Sequence, residues 1–345
     1  MAFKHRIALG LSFFLLPLSF IAAIFLTRKR DDLLTRVFYF CSSLWLGVGL
    51  TLLTAFGFAW VAWGATELLG RDPTAVWFGT VAVGVALLYS AYGVANALHP
   101  RLVRFSARIK NLPPNWHGKT LVQLSDVHLG SILGTHFLAR IVTRVNTERP
   151  AMVLITGDLF DGADGNLEEL VAPLNRLVAP RGIYFVTGNH ETYLGVQRSC
   201  AALATTAVRV LDNERVVIDG LQVIGISYPE PGLAVGFEEK MAALPGFDPA
   251  APSILLYHSP NQVAQAKAAG INLQLSGHVH RGQIFPLQLI TRLIFGKYYY
   301  GLHKEGDYTL YTTSGAGLWG PTLRTGNHPE IAVIRLEQDS GFARI

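Results

Sequence analysis

Five short blocks supply the chemically active side chains of this 345-residue chain. Together they offer three carboxylates, one amide and five imidazoles. The blocks are Asp126-Val-His128, Gly157-Asp158, Gly188-Asn189-His190-Glu191, the lone His258 and Gly277-His278-Val-His280. Carboxylate, amide and imidazole ligands without cysteine suit divalent cations such as Mn²⁺, Fe or Zn²⁺. The number of ligands predicts a centre for two such cations.

Most of these blocks come just after apolar runs that are typical of strands. Asp126, Asp158 and Asn189 follow three such runs and stand 32 and 31 positions apart. About 30 residues is the length of one βαβ unit. Because ligands gather where the carboxyl ends of parallel strands meet, we expect the three side chains to converge. His258 and the His278–His280 pair follow later runs in the same way.

The remaining pattern predicts an α/β domain of many short strands. With so many strands a single sheet is improbable, so two packed sheets flanked by helices are expected, a four-layer αββα sandwich. The predicted strands are 120–125, 152–156, 183–187, 216–218, 221–226, 254–257, 272–275, 308–313 and 331–336, and the predicted helices are 136–148 and 167–179. Gly157, Gly188 and Gly277 each precede a candidate ligand, where the backbone must approach closely.

The five blocks together resemble the calcineurin-like metallophosphoesterase superfamily, over about residues 118–340. The segments 313–318 and 324–330 resemble its membrane-anchored bacterial phosphodiesterase branch. The resemblance implies hydrolysis of phosphodiester or pyrophosphate bonds with two metal ions. It assigns one metal to Asp126, His128 and His280, the other to Asn189, His258 and His278, and a bridging role to Asp158. His190 would stand beside the leaving group as the catalytic acid.

Two further features have two interpretations each. Arg281 and Arg324 would either contact the substrate phosphate or form structural ion pairs. The apolar and aromatic segment 287–300 (LQLITRLIFGKYYY) would either cover the core as a strand and helix or form a lip that touches the bilayer or an acyl chain.

The first hundred residues differ from the rest of the chain. Residues 7–27, 37–66 and 73–98 are stretches of 21, 30 and 26 residues without a charged side chain. Each is long enough to cross a hydrocarbon core of about 30 Å. The prediction is a three-span transmembrane anchor at 1–100, a basic linker at 101–118 and a catalytic domain at 119–345.

Charge separates along the same boundary. Residues 1–110 carry 11 Lys and Arg against 4 Asp and Glu, whereas residues 111–345 carry 18 against 20. The slightly acidic balance of the second part argues against nucleic acid as a partner. Eight cations flank one side of the predicted spans and three flank the other, which places the catalytic domain in the cytoplasm at the inner membrane.

A membrane anchor favours a lipid-linked phosphate as substrate. Some membrane-anchored relatives in this branch resemble UDP-2,3-diacylglucosamine pyrophosphatases. This lipid nucleotide is therefore one candidate substrate. A nucleotide phosphodiesterase or nuclease, and a non-catalytic membrane receptor or scaffold, remain as alternatives. The sequence gives no signal for an oligomeric state.

Overall fold

The computed structural model describes residues 3–30, 32–71, 74–162, 165–230 and 236–339. Three helices come first: α1 Phe3–Lys29, α2 Leu33–Leu68 and α3 Ala75–Ala97. Asp32 starts α2 as a capping box, since its carboxylate accepts from Thr35 N while its own N–H donates to the Thr35 hydroxyl. In the described part of the chain, α2 and α3 are long and apolar enough to cross a membrane by length and composition, and α1 contains a shorter apolar stretch, Leu15–Thr27. The three-span arrangement stays a prediction.

Two six-stranded sheets follow the helices. The strands are β1 Arg101–Ile109, β2 Thr120–Leu124, β3 Met152–Ile155, β4 Ile183–Phe185, β5 Val208–Val210, β6 Glu214–Ile218, β7 Leu221–Gly225, β8 Ser253–Leu256, β9 Leu273–Ser276, β10 Gly301–Glu305, β11 Tyr308–Thr312 and β12 Glu330–Gln338. The first sheet has the order β1-β12-β2-β3-β4-β5, and the second has the order β10-β11-β9-β8-β7-β6. Strands β2 to β5 run parallel to one another, as do β7, β8, β9 and β11.

Seven more helices connect or cover the strands. They are α4 Thr135–Thr147, α5 Leu167–Val171, α6 Asn189–Leu194, α7 Val196–Leu203, α8 Phe237–Ala242, α9 Val263–Ala268 and α10 Leu287–Phe295, with short 3-10 helices at Pro114–Trp116, Ala172–Arg176, His280–Gly282 and Gly296–Tyr299. Buried side chains form one cluster between the two sheets and two more clusters beneath the outer helices. The α/β prediction with two packed sheets and outer helices is therefore confirmed.

Two sequence-based expectations about local structure were wrong. The predicted linker begins with β1, because Leu102, Val103 and Phe105 pair that segment in parallel with β12 while its basic residues face solvent. The predicted helix 167–179 breaks after Val171 into a 3-10 turn that contains Pro173, whose ring cannot continue an α-helix. Within the segment 287–300, α10 has no buried residue, whereas Tyr298 packs against one of the buried clusters.

The N-terminal helices and the two-sheet domain are packed against each other. Residues 317–328, here called the docking loop, lie against α2 and α3. Ser43 donates to Gly320 O at 2.6 Å, and Asn96 Nδ2 donates to the carbonyl oxygens of Arg324 and Asn327 at 2.9 and 2.7 Å. A Cβ at Gly47 or Gly93 would overlap docking-loop side chains, so these glycines permit the close approach.

Candidate metal centre

The predicted ligands lie on the loops that follow β2, β3, β4, β8 and β9. These loops leave neighbouring parallel strands and meet in the cleft between the two sheets, as the βαβ spacing led us to expect. The backbone there is strained. Five candidate ligands have left-handed φ angles between 46° and 73°, namely Asp126, His128, Asp158, His278 and His280. Such angles cost about 1–3 kcal/mol per non-glycine residue and gather at functional sites.

Glycines next to the ligands allow the loops to crowd together. A Cβ at Gly277 would overlap the Asp126 carboxylate and the Ser125 hydroxyl. A Cβ at Gly188 would overlap the Asp158 carboxylate in the same way. The expectation that these positions need glycine for close backbone approach is confirmed.

Asp126, His128 and His280 form what we call the first cluster. His128 Nε2 lies 2.9 Å from His280 Nε2, and His280 Nε2 lies 3.3 Å from Asp126 Oδ1. All three residues are buried. Their ligand atoms lie within 4.8 Å of one another, close enough for one cation to contact all three.

Asn189, His258 and His278 form the second cluster. Asn189 Oδ1 lies 3.2 Å from His258 Nε2 and 2.8 Å from His278 Nδ1. Asp158 stands between the clusters, because its Oδ2 lies 3.1 Å from His258 Nε2 and 3.9 Å from His128 Nε2. The two histidines of the His278–His280 pair therefore face different clusters, as the resemblance implied.

The residues present fit two divalent cations. Imidazole nitrogens and carboxylate oxygens turn toward one another instead of toward solvent. Asp126 Oδ2 is buried and has no hydrogen-bond partner among the residues that the structure describes. A buried carboxylate oxygen without a partner is costly unless a cation compensates it.

The charges of the ligand side chains lead to the same conclusion. Burial works against charge on both residues, yet the His258 imidazolium lowers the pKa of Asp158 far below its usual range, and the Asp158 carboxylate raises the pKa of His258 to about 10. Burial and the His258 charge lower the pKa of His278 to about 4. A proton on His258 thus balances Asp158, and a bound cation would replace it.

His190 lies beside both clusters. Its Nδ1 lies 3.0 Å from the carbonyl oxygen of Asp161, and its ring meets the ring of His128 edge-on at 4.5 Å. Burial, followed by the His128 charge, lowers the pKa of His190. Since a carbonyl oxygen only accepts, Nδ1 carries the hydrogen and Nε2 is the free ring nitrogen.

The two arginines that were candidates for contacting substrate have different surroundings. Arg324 is 0% exposed, so the expectation that it contacts substrate was wrong. It donates to the carbonyl oxygens of Ser314 and Gly317, both at 2.9 Å, and its Nη2 lies 3.0 Å from His280 Nδ1. Arg281 lies 4.1 Å over the ring of Tyr300 and is not among the residues that line the cleft. Its proposed substrate contact stays a prediction.

Several supporting residues escaped the sequence analysis. Glu191 is 0% exposed and accepts from the N–H groups of Asp158, Leu159, Phe160 and Gly188, so it fixes two ligand loops. Its place three residues after Gly188, at the start of α6, was the one available signal.

A second supporting chain reaches the cluster from α2. The Tyr39 hydroxyl donates to Asp161 Oδ2 at 3.1 Å, and Asp161 Oδ1 lies 3.5 Å from His128 Nδ1. Histidine ligands commonly have a carboxylate at the second ring nitrogen, which fixes the ring. Tyr39 is 122 positions from Asp161, and no local pattern marks the contact.

A cavity of about 540 Å³ opens from the clusters. Asp158, Asn189, His190, His278 and His280 line one part of it. The other part is apolar and is lined by Ile284, Leu287, Ile290, Ile294, Phe295 and Trp319. Most of these apolar residues belong to α10. The cavity therefore joins the charged clusters to an apolar helix.

Comparisons with known proteins agree with this site. The family model of the calcineurin-like phosphoesterases matches residues 119–282, which include every predicted ligand. A metallophosphoesterase of Helicobacter pylori strain J99 is 38% identical over 219 residues, which are 63% of this chain and 59% of the relative. The chain thus spans less than two thirds of that relative's length.

Two further relatives match along most of both chains. A metallophosphoesterase of Campylobacter jejuni is 30% identical over 343 residues, covering 94% of this chain and 89% of the relative. A Bos taurus protein named "Transmembrane protein with metallophosphoesterase domain" is 33% identical over 344 residues, covering 92% and 77%. The transmembrane relative and the apolar helices α2 and α3 indicate association with a membrane. The strand order, the ligand clusters and these relatives together show that the chain belongs to the calcineurin-like metallophosphoesterases.

Proposed function

We propose that the protein is a membrane-held hydrolase of phosphodiester or pyrophosphate bonds. The first cluster would hold one divalent cation, the second cluster would hold the other, and Asp158 would contact both. Mn²⁺, Fe and Zn²⁺ all suit this ligand set. Two such cations supply Lewis-acid activation of a phosphoryl group and offset its negative charge.

His190 is the residue proposed to handle the proton. Its Nδ1 is held by the Asp161 carbonyl oxygen, so Nε2 is the nitrogen that exchanges a proton with the substrate. In its neutral form the ring can only accept there. An anionic phosphate in the cavity favours protonation of Nε2, which would then donate to the leaving oxygen.

The proposed substrate is a phosphate ester linked to a lipid. The observation that carries this proposal is the shape of the cavity, which has ligands for phosphate-binding cations in one part and the aliphatic side chains of α10 in the other. Leu293 and Ile294 of α10 are 85% and 69% exposed, which is unusual for large apolar residues beside an active site. A soluble diester would leave this apolar part of the cavity empty.

Among lipid-linked phosphates, UDP-2,3-diacylglucosamine is the leading specific candidate. Its hydrolysis would break a pyrophosphate bond on the cytoplasmic side of the inner membrane. The excess of Lys and Arg on one side of the predicted spans supports that orientation.

The test is an assay of the full-length protein in detergent, loaded with Mn²⁺. UDP-2,3-diacylglucosamine is compared with bis(4-nitrophenyl) phosphate, and chelator-treated protein is the control. Hydrolysis of both, with the higher kcat/KM for the lipid nucleotide, is the expected result. Hydrolysis of only the soluble diester would refute the lipid-linked substrate. Cleavage of single-stranded DNA would support the nuclease alternative, and stoichiometric metal without turnover of any diester would support a receptor or scaffold.

A further inference from the structure

A second apolar crevice adjoins the active-site cavity on the side of the N-terminal helices. Its volume is about 420 Å³, and Phe20 of α1 and Trp45, Gly49, Leu50 and Leu53 of α2 line one wall. The opposite wall contains Leu287, Trp319 and Pro321, which also line the active-site cavity. The two spaces are thus separated by a partition of those three side chains.

Trp319 is the part of this partition that is least enclosed. Its side chain is 53% exposed, and it also borders a third, smaller space that is lined by Phe20, Tyr39, Asp161 and His190. The three spaces meet at one indole ring. A chain-like ligand that passes this ring can reach from the crevice to the metal centre.

The tryptophans of α2 show how deep the crevice would lie in a bilayer. Trp45 and Trp63 are 18 residues apart in one helix, which is about 27 Å at ~1.5 Å per residue. That distance matches a hydrocarbon core of about 30 Å, and tryptophan concentrates at its two boundaries. Gly49 and Leu53 follow Trp45 by 4 and 8 residues, or about 6–12 Å. The crevice therefore lies at the depth of acyl chains.

A contact of the catalytic domain supports the same depth. Phe285, two residues before α10, stacks on Phe58 of α2 with 6.2 Å between the ring centroids. Only ten residues of α2 remain beyond Phe58, about 15 Å of helix. Because this is half of a ~30 Å core, a membrane-crossing α2 places Phe285 and the neighbouring α10 within the hydrocarbon region. The exposed aliphatic face of α10 then faces lipid.

We propose that the crevice binds an acyl chain of the substrate directly from the bilayer. The phosphate of that lipid then reaches the metal centre sideways, past Trp319, without leaving the membrane. This inference rests on the proposed phosphoesterase function. It gives the N-terminal helices a second role, since α1 and α2 form one wall of the substrate site in addition to holding the protein at the membrane.

A matched pair of glycine substitutions tests the proposal. Gly49 lines the crevice, whereas Gly84 lies on α3, and a Cβ at either position would have no neighbouring atom within 4 Å. At both positions the Cβ of the new leucine meets no neighbouring atom, but only Gly49→Leu narrows the crevice. We expect Gly49→Leu to raise the KM for UDP-2,3-diacylglucosamine about tenfold, with turnover of bis(4-nitrophenyl) phosphate unchanged. Gly84→Leu is expected to change neither.

A labelling experiment tests the crevice without relying on turnover. The full-length protein in nanodiscs is irradiated with phosphatidic acid that carries a diazirine in its acyl chain, and the labelled residues are mapped. Label on 45–53 and on Trp319, reduced by Gly49→Leu, is the expected result. Equal label from the corresponding phosphatidylcholine, together with an unchanged KM in Gly49→Leu, would show that bulk lipid alone fills the crevice and would overturn the inference. If the wild-type protein hydrolyses no diester at all, the proposed function is refuted instead.

Discussion

The two metal-binding clusters differ in what holds them. The first cluster is supported by residues that contact the N-terminal helices: Arg324 of the docking loop contacts His280, and Asp161, held by Tyr39 of α2, lies beside His128. The second cluster is supported from within the catalytic core, because His258 Nδ1 is held at 2.7 Å by the carbonyl oxygen of Thr156. The comparison shows that one half of the centre depends on the N-terminal helices and the other half does not.

Exposure differs between the clusters as well. His280 of the first cluster is 5% exposed, whereas His278 of the second is only partly buried, and both line the cavity. Tyr228 borders the second cluster, with its ring 5.9 Å from the rings of both His258 and His278. Both clusters therefore border the cavity, and the second contains the more exposed histidine.

Removing the residue shared by both clusters has the largest expected effect. Asp158→Ala should lower diester turnover at least about 10³-fold, since several kcal/mol of transition-state stabilisation is lost with the cations. Metal content per chain should fall with it. Both are measured on purified protein by kinetics and elemental analysis, with Asp307→Ala, an exposed carboxylate, as control. Full activity in Asp158→Ala would refute the two-metal assignment.

Arg324→Lys should affect the first cluster selectively. Lysine keeps the charge but cannot contact Ser314, Gly317 and His280 together. We expect the free energy of unfolding to fall by about 3 kcal/mol and turnover to fall about 10²-fold. Urea denaturation and metal titration check this, with Arg335→Lys on the exposed side of β12 as control. An equal loss of affinity for both metals would contradict the prediction that Arg324 supports only the first cluster.

Tyr39→Phe isolates the contribution of α2. One hydrogen bond, worth about 1 kcal/mol, would be removed from Asp161. We expect a roughly fivefold weaker affinity for one of the two cations and a similar drop in kcat. KM should not change, because Tyr39 does not line the main cavity. Calorimetric metal titration measures the affinity, and Tyr92→Phe on α3 is the control. An unchanged metal affinity would show that Tyr39 supports only the packing of α2.

Tyr228→Phe is expected to have the smallest effect. The ring contacts with His258 and His278 would persist, so kcat/KM should stay within about twofold of wild type. The measurement is steady-state kinetics on the lipid nucleotide and the soluble diester. A tenfold loss of kcat/KM would mean that the Tyr228 hydroxyl group itself contacts substrate. The second cluster would then depend on a residue outside the core contacts described above.

Sequence patterns predicted much of the centre because its ligands obey a local rule. Each of them lies two to four residues beyond the end of a strand, and βαβ spacing brings such positions to one edge. Asp126, Asp158 and Asn189 were found in this way. The sequence placed Glu191 in a motif but did not predict its role. Its four backbone N–H donors come from two loops that meet only after folding. Arg324 was misjudged because its burial depends on how the docking loop meets α3.

The sequence by itself determined the alternation of strands and helices, the identity of the ligands and the apolar character of the first hundred residues. These follow from local spacing and composition, which act over a few residues. Only the tertiary structure decided that β1 pairs with β12, that α10 stays uncovered and that Tyr39 and Trp319 border the metal centre. Those facts depend on contacts between segments more than a hundred positions apart, for which side-chain periodicity carries no information.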